Sequence, residues 1–191
     1  MNSTLASRTL DGVEIPAPGV WDIDPAHSTV GFVVRHLVVA KVRGRFGSFA
    51  GAITIADEPE LSSASVTIDA ASIDTRQDGR DEHLRSPDFF DVANYPVLTF
   101  ETSALKRTSQ STFELSGDLT IRGTTRPVVL RTEFDGVTLD TQGGSRAAFT
   151  ATTEIDRNEY GLTWNQVLEA GGVAVSNKVK IELEISLVRR V

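Results

Sequence analysis

The last strand-like run of the chain, residues 179–188, alternates without a break. Val179, Ile181, Leu183, Ile185 and Leu187 fall on one side, with Lys180, Glu182, Glu184 and Ser186 on the other. A period of two residues marks a strand with one buried and one solvated face. Such a strand cannot stand alone, because its apolar face must meet the apolar faces of other strands. The rest of the chain supplies them. In residues 28–37, Val30, Phe32, Val34 and His36 share one face, while Thr29, Gly31, Val33 and Arg35 share the other. Residues 42–55, 65–73, 97–105, 112–121, 127–134 and 147–155 continue the pattern. The glycines within 42–55 point to bends or bulges of the kind that curl a sheet. Arg122-Gly123-Thr124-Thr125-Arg126 reads as a hairpin connection.

About eight strands therefore predict an all-β, antiparallel fold closed into a barrel. Closure removes exposed sheet edges, and about eight strands leave room for packed side chains or one small ligand. A two-sheet sandwich carries almost the same sequence pattern. Residues 1–19, ending in Pro16-Ala17-Pro18-Gly19, are expected to form a flexible arm, and residues 20–191 one barrel domain.

One stretch interrupts the strands. Residues 74–100 hold Arg76, Arg80, Asp81, His83, Arg85 and Asp88, then the apolar pair Phe89 and Phe90. Ser86 reads as a helix N-cap with Pro87 at the first helical position. Asp88 then lies in the first turn, where the helix dipole favours a carboxylate. The expectation is a short helical insert that sets two phenylalanines onto the end of the β-structure and stops before Tyr95-Pro96. Residues 157–177 have no sustained period and carry Tyr160 and Trp164, which suggests a long loop covering one mouth or flank.

Several function classes are disfavoured. The 26 acidic residues outnumber 19 basic ones, giving a net charge of −7, whereas nucleic-acid binding favours a basic balance. The chain has no cysteine, so disulfides, thiolate chemistry and cysteine–zinc sites are excluded. Arg8, Asp11 and Glu14 break any apolar run in the first 19 residues, and no stretch approaches the roughly 18 apolar residues of a membrane helix. A cytoplasmic location is the expectation. The three histidines, His27, His36 and His83, have neither the helical nor the strand spacing of a metal pair, even with Asp22, Asp24, Asp81 or Glu82 nearby, so no metal or other cofactor is expected. Asp24-Pro25-Ala26-His27-Ser28 contains the residue types of a hydrolytic triad. However, neighbouring side chains on an extended chain point apart and no nucleophile elbow is present. A turn satisfied by Asp24 and Ser28 is the simpler reading, and a hydrolase is not expected.

What remains is aromatic and aliphatic. Phe32, Phe46, Phe49, Phe89, Phe90, Phe100 and Trp164 either form plain core or line an apolar cavity. Arg76, Arg80 and Arg85 would then lie near one end, where they could meet an anionic head group. Periodicity does not separate a filled barrel from a hollow one.

Longer motifs carry a family resemblance. Trp21-Asp22-Ile23-Asp24-Pro25-Ala26-His27-Ser28, followed by Phe32, Val34, His36, Gly44 and Phe46, resembles the opening of the YceI-like polyisoprenoid-binding family. So do Ser72 to Thr75, Arg80 to Val92 with Tyr95-Pro96, Gly117 to Thr125, and Arg157 through Tyr160-Gly161-Leu162. The match runs over about residues 20–188. The resemblance implies an eight-stranded lipocalin-like barrel with a helix beside it. It also implies a hydrophobic tunnel holding a long-chain polyisoprenoid or similar amphipathic lipid without catalysis, and a possible homodimer. His36 joins the aromatic residues as a candidate on the tunnel face. Arg80, His83 and Arg85 are the candidates for head-group contact.

Overall fold

The computed structural model describes residues 4–37, 39–167 and 173–190. Its strands are β1 (Ser7–Leu10), β2 (Val13–Pro16), β3 (Gly19–Ile23), β4 (Thr29–His36), β5 (Ala40–Phe46), β6 (Phe49–Ile55), β7 (Ser63–Asp69), β8 (Ile73–Asp74), β9 (Val97–Arg107), β10 (Thr112–Ile121), β11 (Thr124–Leu139), β12 (Ser145–Asp156) and β13 (Val175–Arg189). The α-helix α1 spans Asp78–Arg85.

The alternating run at the end of the chain is the closing strand. β13 pairs with β12 along one edge; along the other it pairs first with β4 and then with β3. Three members of the ring are split in this way. β3 and β4 follow one another along β13, β6 and β5 pair with them in turn, and β7 and β8 pair with those. β9, β10, β11 and β12 complete an eight-membered antiparallel barrel. Two of the breaks lie side by side: the Gly47 amide donates to Ser72 O at 3.1 Å and the Asp69 amide to Ser48 O at 2.9 Å. β7 pairs with β9 but β8 does not, so the barrel wall has a seam at that end. The chain joining β8 to β9 is the helical insert.

Phenylalanines and glycines are matched across the wall. Gly44 lies opposite Phe32 in register, and a Cβ there would run into the Phe32 ring. Gly117 makes the same room for Phe100.

α1 starts earlier than the sequence reading expects. Gln77 is the N-cap, its side-chain oxygen accepting from the Arg80 amide. Asp81, buried in the first turn, accepts from the Thr75 amide at 2.9 Å and from its hydroxyl at 2.5 Å. Ser86 ends the helix, and Pro87 follows it. The Ser-Pro pair is therefore a stop rather than a start, because proline is tolerated just beyond a helix as well as at its first position. Phe89 and Phe90 lie in the turn that follows, where the Phe90 amide donates to Leu84 O at 3.0 Å.

Residues 7–16, expected to be part of a loose arm, instead form the β1–β2 hairpin. Its turn is Asp11-Gly12, both at positive φ (50° and 80°), as a two-residue turn between right-twisted strands requires. The hairpin is tied to the barrel by the Ala6 amide, which donates to Ser145 Oγ at 2.8 Å, and by Arg8 Nη2, which donates to Ala56 O at 2.7 Å. It sits at the end where β9 runs into β10. α1 and the β12–β13 connection sit at the opposite end.

Candidate functional site

Inward-facing residues of the ring surround a cavity of about 320 Å³. Val30, Phe32, Phe46, Phe90, Phe100, Phe149, Ile181 and Leu183 are among its walls. Two aromatic contacts organise the helix side of this lining. Phe46 meets Phe32 at 6.0 Å between ring centroids and Phe90 edge-on at 5.7 Å. Toward the other end, Phe134 and Phe149 pack at 5.2 Å. Among the described residues, charged lining residues occur only at the two ends: Arg8 and Arg107 at the hairpin, Arg157 at the helix.

Of the sequence candidates, Phe32, Phe46, Phe89, Phe90 and Phe100 line this cavity. Phe49 is buried in the core behind the lining. His36 stands at the far end of β4, between Val175 and Ala40. Trp164 belongs to an aromatic cap outside the cavity, 4.7 Å from His83 and 5.4 Å from Phe89. His83 is also 2.9 Å from Asp88 Oδ2.

The two candidate arginines of the insert bond to backbone oxygens and, in one bond of Arg80, to a threonine hydroxyl. Arg80 donates from Nε to Thr75 Oγ1 at 2.7 Å and from Nη2 to Thr75 O at 2.8 Å. Arg85 donates to Ala71 O and Ile73 O, each at 2.8 Å. These bonds fasten α1 to the end of β7 and to β8. Arg80 and Arg76 also border a second, more polar groove of about 740 Å³ along the outside of β4, β5 and β13. Asp74, Glu182 and Glu184 accompany the basic residues there, as on an ordinary solvated face, so the apolar cavity inside the barrel is the better candidate.

Arg157 was not singled out as a cavity residue by sequence reasoning. It is buried, and its guanidinium donates to Ser176 O, Leu162 O, Trp164 O and Val175 O. Among the described residues no carboxylate comes within ion-pair distance, and burial pulls its pKa below the usual arginine value. It holds the start of the β12–β13 loop over the tunnel end. Beside it, burial pushes the Tyr160 hydroxyl up to about 12. Arg8, Arg107 and Gln110 were also missed, although the Asp11-Gly12 dipeptide between short alternating runs was a usable hairpin signal.

The Asp24–Ser28 motif forms a turn. Asp24 Oδ1 accepts from the Ala26 amide at 3.0 Å, and the Ser28 hydroxyl exchanges bonds with the Ser186 backbone. Asp24 also meets Arg146 at 2.6 Å and His27 at 2.8 Å. Chiefly because of Arg146, its carboxyl is held down to about 2. Among the described residues no three histidine or carboxylate side chains converge as metal ligands would.

Among the described residues, the structure is thus a closed antiparallel barrel around an apolar cavity, with charged lining residues at its two ends. The YceI-like domain model matches residues 21–187, and the chain belongs to that family. A UPF0312 protein of Staphylococcus aureus (strain bovine RF122) is 39% identical over 165 residues, covering 85% of this chain and 93% of its own. A UPF0312 protein of Ectopseudomonas mendocina is 37% identical over 160 residues, covering 83% and 84%. Among solved structures, a Campylobacter jejuni YceI protein superposes with a TM-score of 0.71 at 26% identity, over 82% of this chain and 90% of that one. Burkholderia cenocepacia BcnA gives 0.74 at 23%, over 86% and 98%. A polyisoprenoid-binding domain from Saccharophagus degradans, implicated in plant cell wall breakdown, gives 0.69 at 19%, over 89% and 98%. No helix among the described residues is long and apolar enough to cross a membrane.

Proposed function

We propose that this chain is a non-catalytic carrier that holds one long-chain amphipathic lipid, of polyisoprenoid or similar type, inside its barrel. The observation that carries the reading is the cavity itself, walled by aliphatic and aromatic side chains from the ring and from the turn after α1. Each buried CH₂ of a ligand contributes about 0.8 kcal/mol, so a long chain needs no specific polar partner along its length. The polyisoprenoid named for the Saccharophagus domain is an elongated apolar molecule of the matching kind. The family and the structural neighbours also favour binding over catalysis. Native mass spectrometry of the purified protein, with organic extraction and with polyprenyl phosphate or a long-chain fatty acid added, tests the reading. The expected result is one lipid per chain, carried over or taken up. An apo mass with no uptake of either probe overturns it and leaves a barrel whose role lies on its outside.

A further inference from the structure

We propose that the lipid lies in the tunnel with its head group at the hairpin end, where Arg8 receives a carboxylate or phosphoryl oxygen, and with its chain running toward α1. The inference rests on the carrier reading above and assigns that ligand a direction.

The two ends of the cavity differ in what their arginines have left to give. At the helix end, Arg157 is committed to four backbone carbonyls. At the hairpin end, Arg8 uses Nη2 on Ala56 O, and its Nη1 is 3.8 Å from Asp57, a carboxylate 95% exposed. Its Nε is buried and has no hydrogen-bond partner among the described residues. A buried donor left unpaired costs about 1–3 kcal/mol, and Arg8 is part of the cavity wall. An acceptor oxygen arriving through the cavity would remove that cost. Arg107, its neighbour in the same end wall, donates Nε to Ser109 O at 2.9 Å and Nη2 to Gln110 O at 3.5 Å, and its Nη1 is paired with exposed Asp11 at 2.6 Å. Exposed pairs of this kind are weak, so Arg107 can turn part of its charge to an anionic head without a large loss. Leu10, Ile15 and Pro16 from the hairpin close the remaining wall.

The arrangement is an addition to the barrel. The family match begins at residue 21, and Arg8, with both hairpin strands, lies before it. The hairpin therefore gives this chain an end wall that the matched domain does not itself encode.

Direction can be read with brominated lipids, because bromine quenches tryptophan at short range and Trp164 sits at the helix end. The probes are a long-chain fatty acid brominated beside its carboxylate, the same acid brominated at its far end, and the bromoalkane of equal length. Wild type is compared with Trp164→Phe to isolate the Trp164 signal. The far-end bromine is expected to quench Trp164 more strongly than the bromine beside the carboxylate. Arg8→Met, which keeps the apolar stem, is expected to weaken the acid about tenfold, the worth of a charge-assisted hydrogen bond, and to leave the bromoalkane unchanged. Stronger quenching by the bromine beside the carboxylate, or equal effects of Arg8→Met on acid and alkane, overturns the assignment while lipid binding stands. Should Arg8→Met not fold, the quenching order in wild type decides alone. If polyprenyl phosphate binds wild type while these probes do not, an affinity for it unchanged by Arg8→Met overturns the assignment; if it does not bind either, the carrier reading itself fails, and the direction with it.

Discussion

At the helix end of the barrel, Arg80, Arg85 and Arg157 donate to backbone carbonyls or, in one bond of Arg80, to a threonine hydroxyl. At the hairpin end, Arg8 and Arg107 also donate to carbonyls, but Arg107, Arg146 and Arg190 reach carboxylates: Asp11, Asp24 with Asp140, and Asp22. A carbonyl does not titrate and is little screened when buried, whereas exposed ion pairs weaken with salt and with acid. The helix end is thus tied mainly through carbonyls, with Arg45–Asp74 an exposed exception, and the hairpin end more through ties that solution conditions can loosen. The lesson is that similar numbers of arginines can build opposite mechanical characters, depending on which oxygen they meet.

The contrast can be broken most decisively at Arg157. Arg157→Met leaves several buried carbonyls without a donor and is expected to destabilise the whole barrel by about 3 kcal/mol in urea denaturation. A loss below about 1 kcal/mol would mean that the helix end is not the rigid one. Arg85→Ala removes two carbonyl bonds at a less buried place. A loss of about 2 kcal/mol is expected, with faster amide exchange in α1 and unchanged exchange in β1 and β2. At the hairpin, Ser145→Ala deletes the acceptor of the Ala6 amide, and the cost should stay local at about 1 kcal/mol. Amides of β1 and β2 should exchange faster while the urea midpoint hardly moves; a large shift in that midpoint would show the hairpin to be part of the global folding unit.

The smallest effect is the pH response of Asp24. Its carboxyl is held well below the ordinary value of 3.8, at about 2. The stabilisation is therefore complete above the ordinary value and is lost as pH falls from there through about 2. Between those limits Arg146→Ala should flatten the acid limb of stability by under about 1 kcal/mol, because the group is near solvent. An unchanged acid limb would remove the titratable half of the contrast.

The barrel was legible because its information is periodic. Val179 to Leu187 shows its inward face in the alternation itself, and the cavity phenylalanines contributed by strands lie on such faces, whereas Phe89 and Phe90 come from the turn after α1. What was not legible depends on choices that local sequence leaves open. Ser86-Pro87 is compatible with the beginning of one helix or the end of another, and Gln77 is an uncommon N-cap. The split of residues 42–55 into two strands follows from how Gly47 and Ser48 bond to Ser72 and Asp69, partners distant in the chain. The hairpin was hidden by short strands, despite its Asp-Gly turn. Whether arginines meet carbonyls or carboxylates is set by tertiary geometry, so Arg80 and Arg85 looked available while Arg8 and Arg157 were not read as cavity residues.

β13 has a consequence for the order of folding. It is the strand through which β12 meets β3 and β4, so the ring cannot close until the two ends of the barrel sequence find one another. Pairings between residues as distant as Ile23 and Leu187 carry a heavy loop-closure cost and make for slow folding. Until that step the apolar inner face is an open trough. A lipid present at closure would be enclosed without having to thread a mouth, and release would then share its barrier with the parting of β13 from β3.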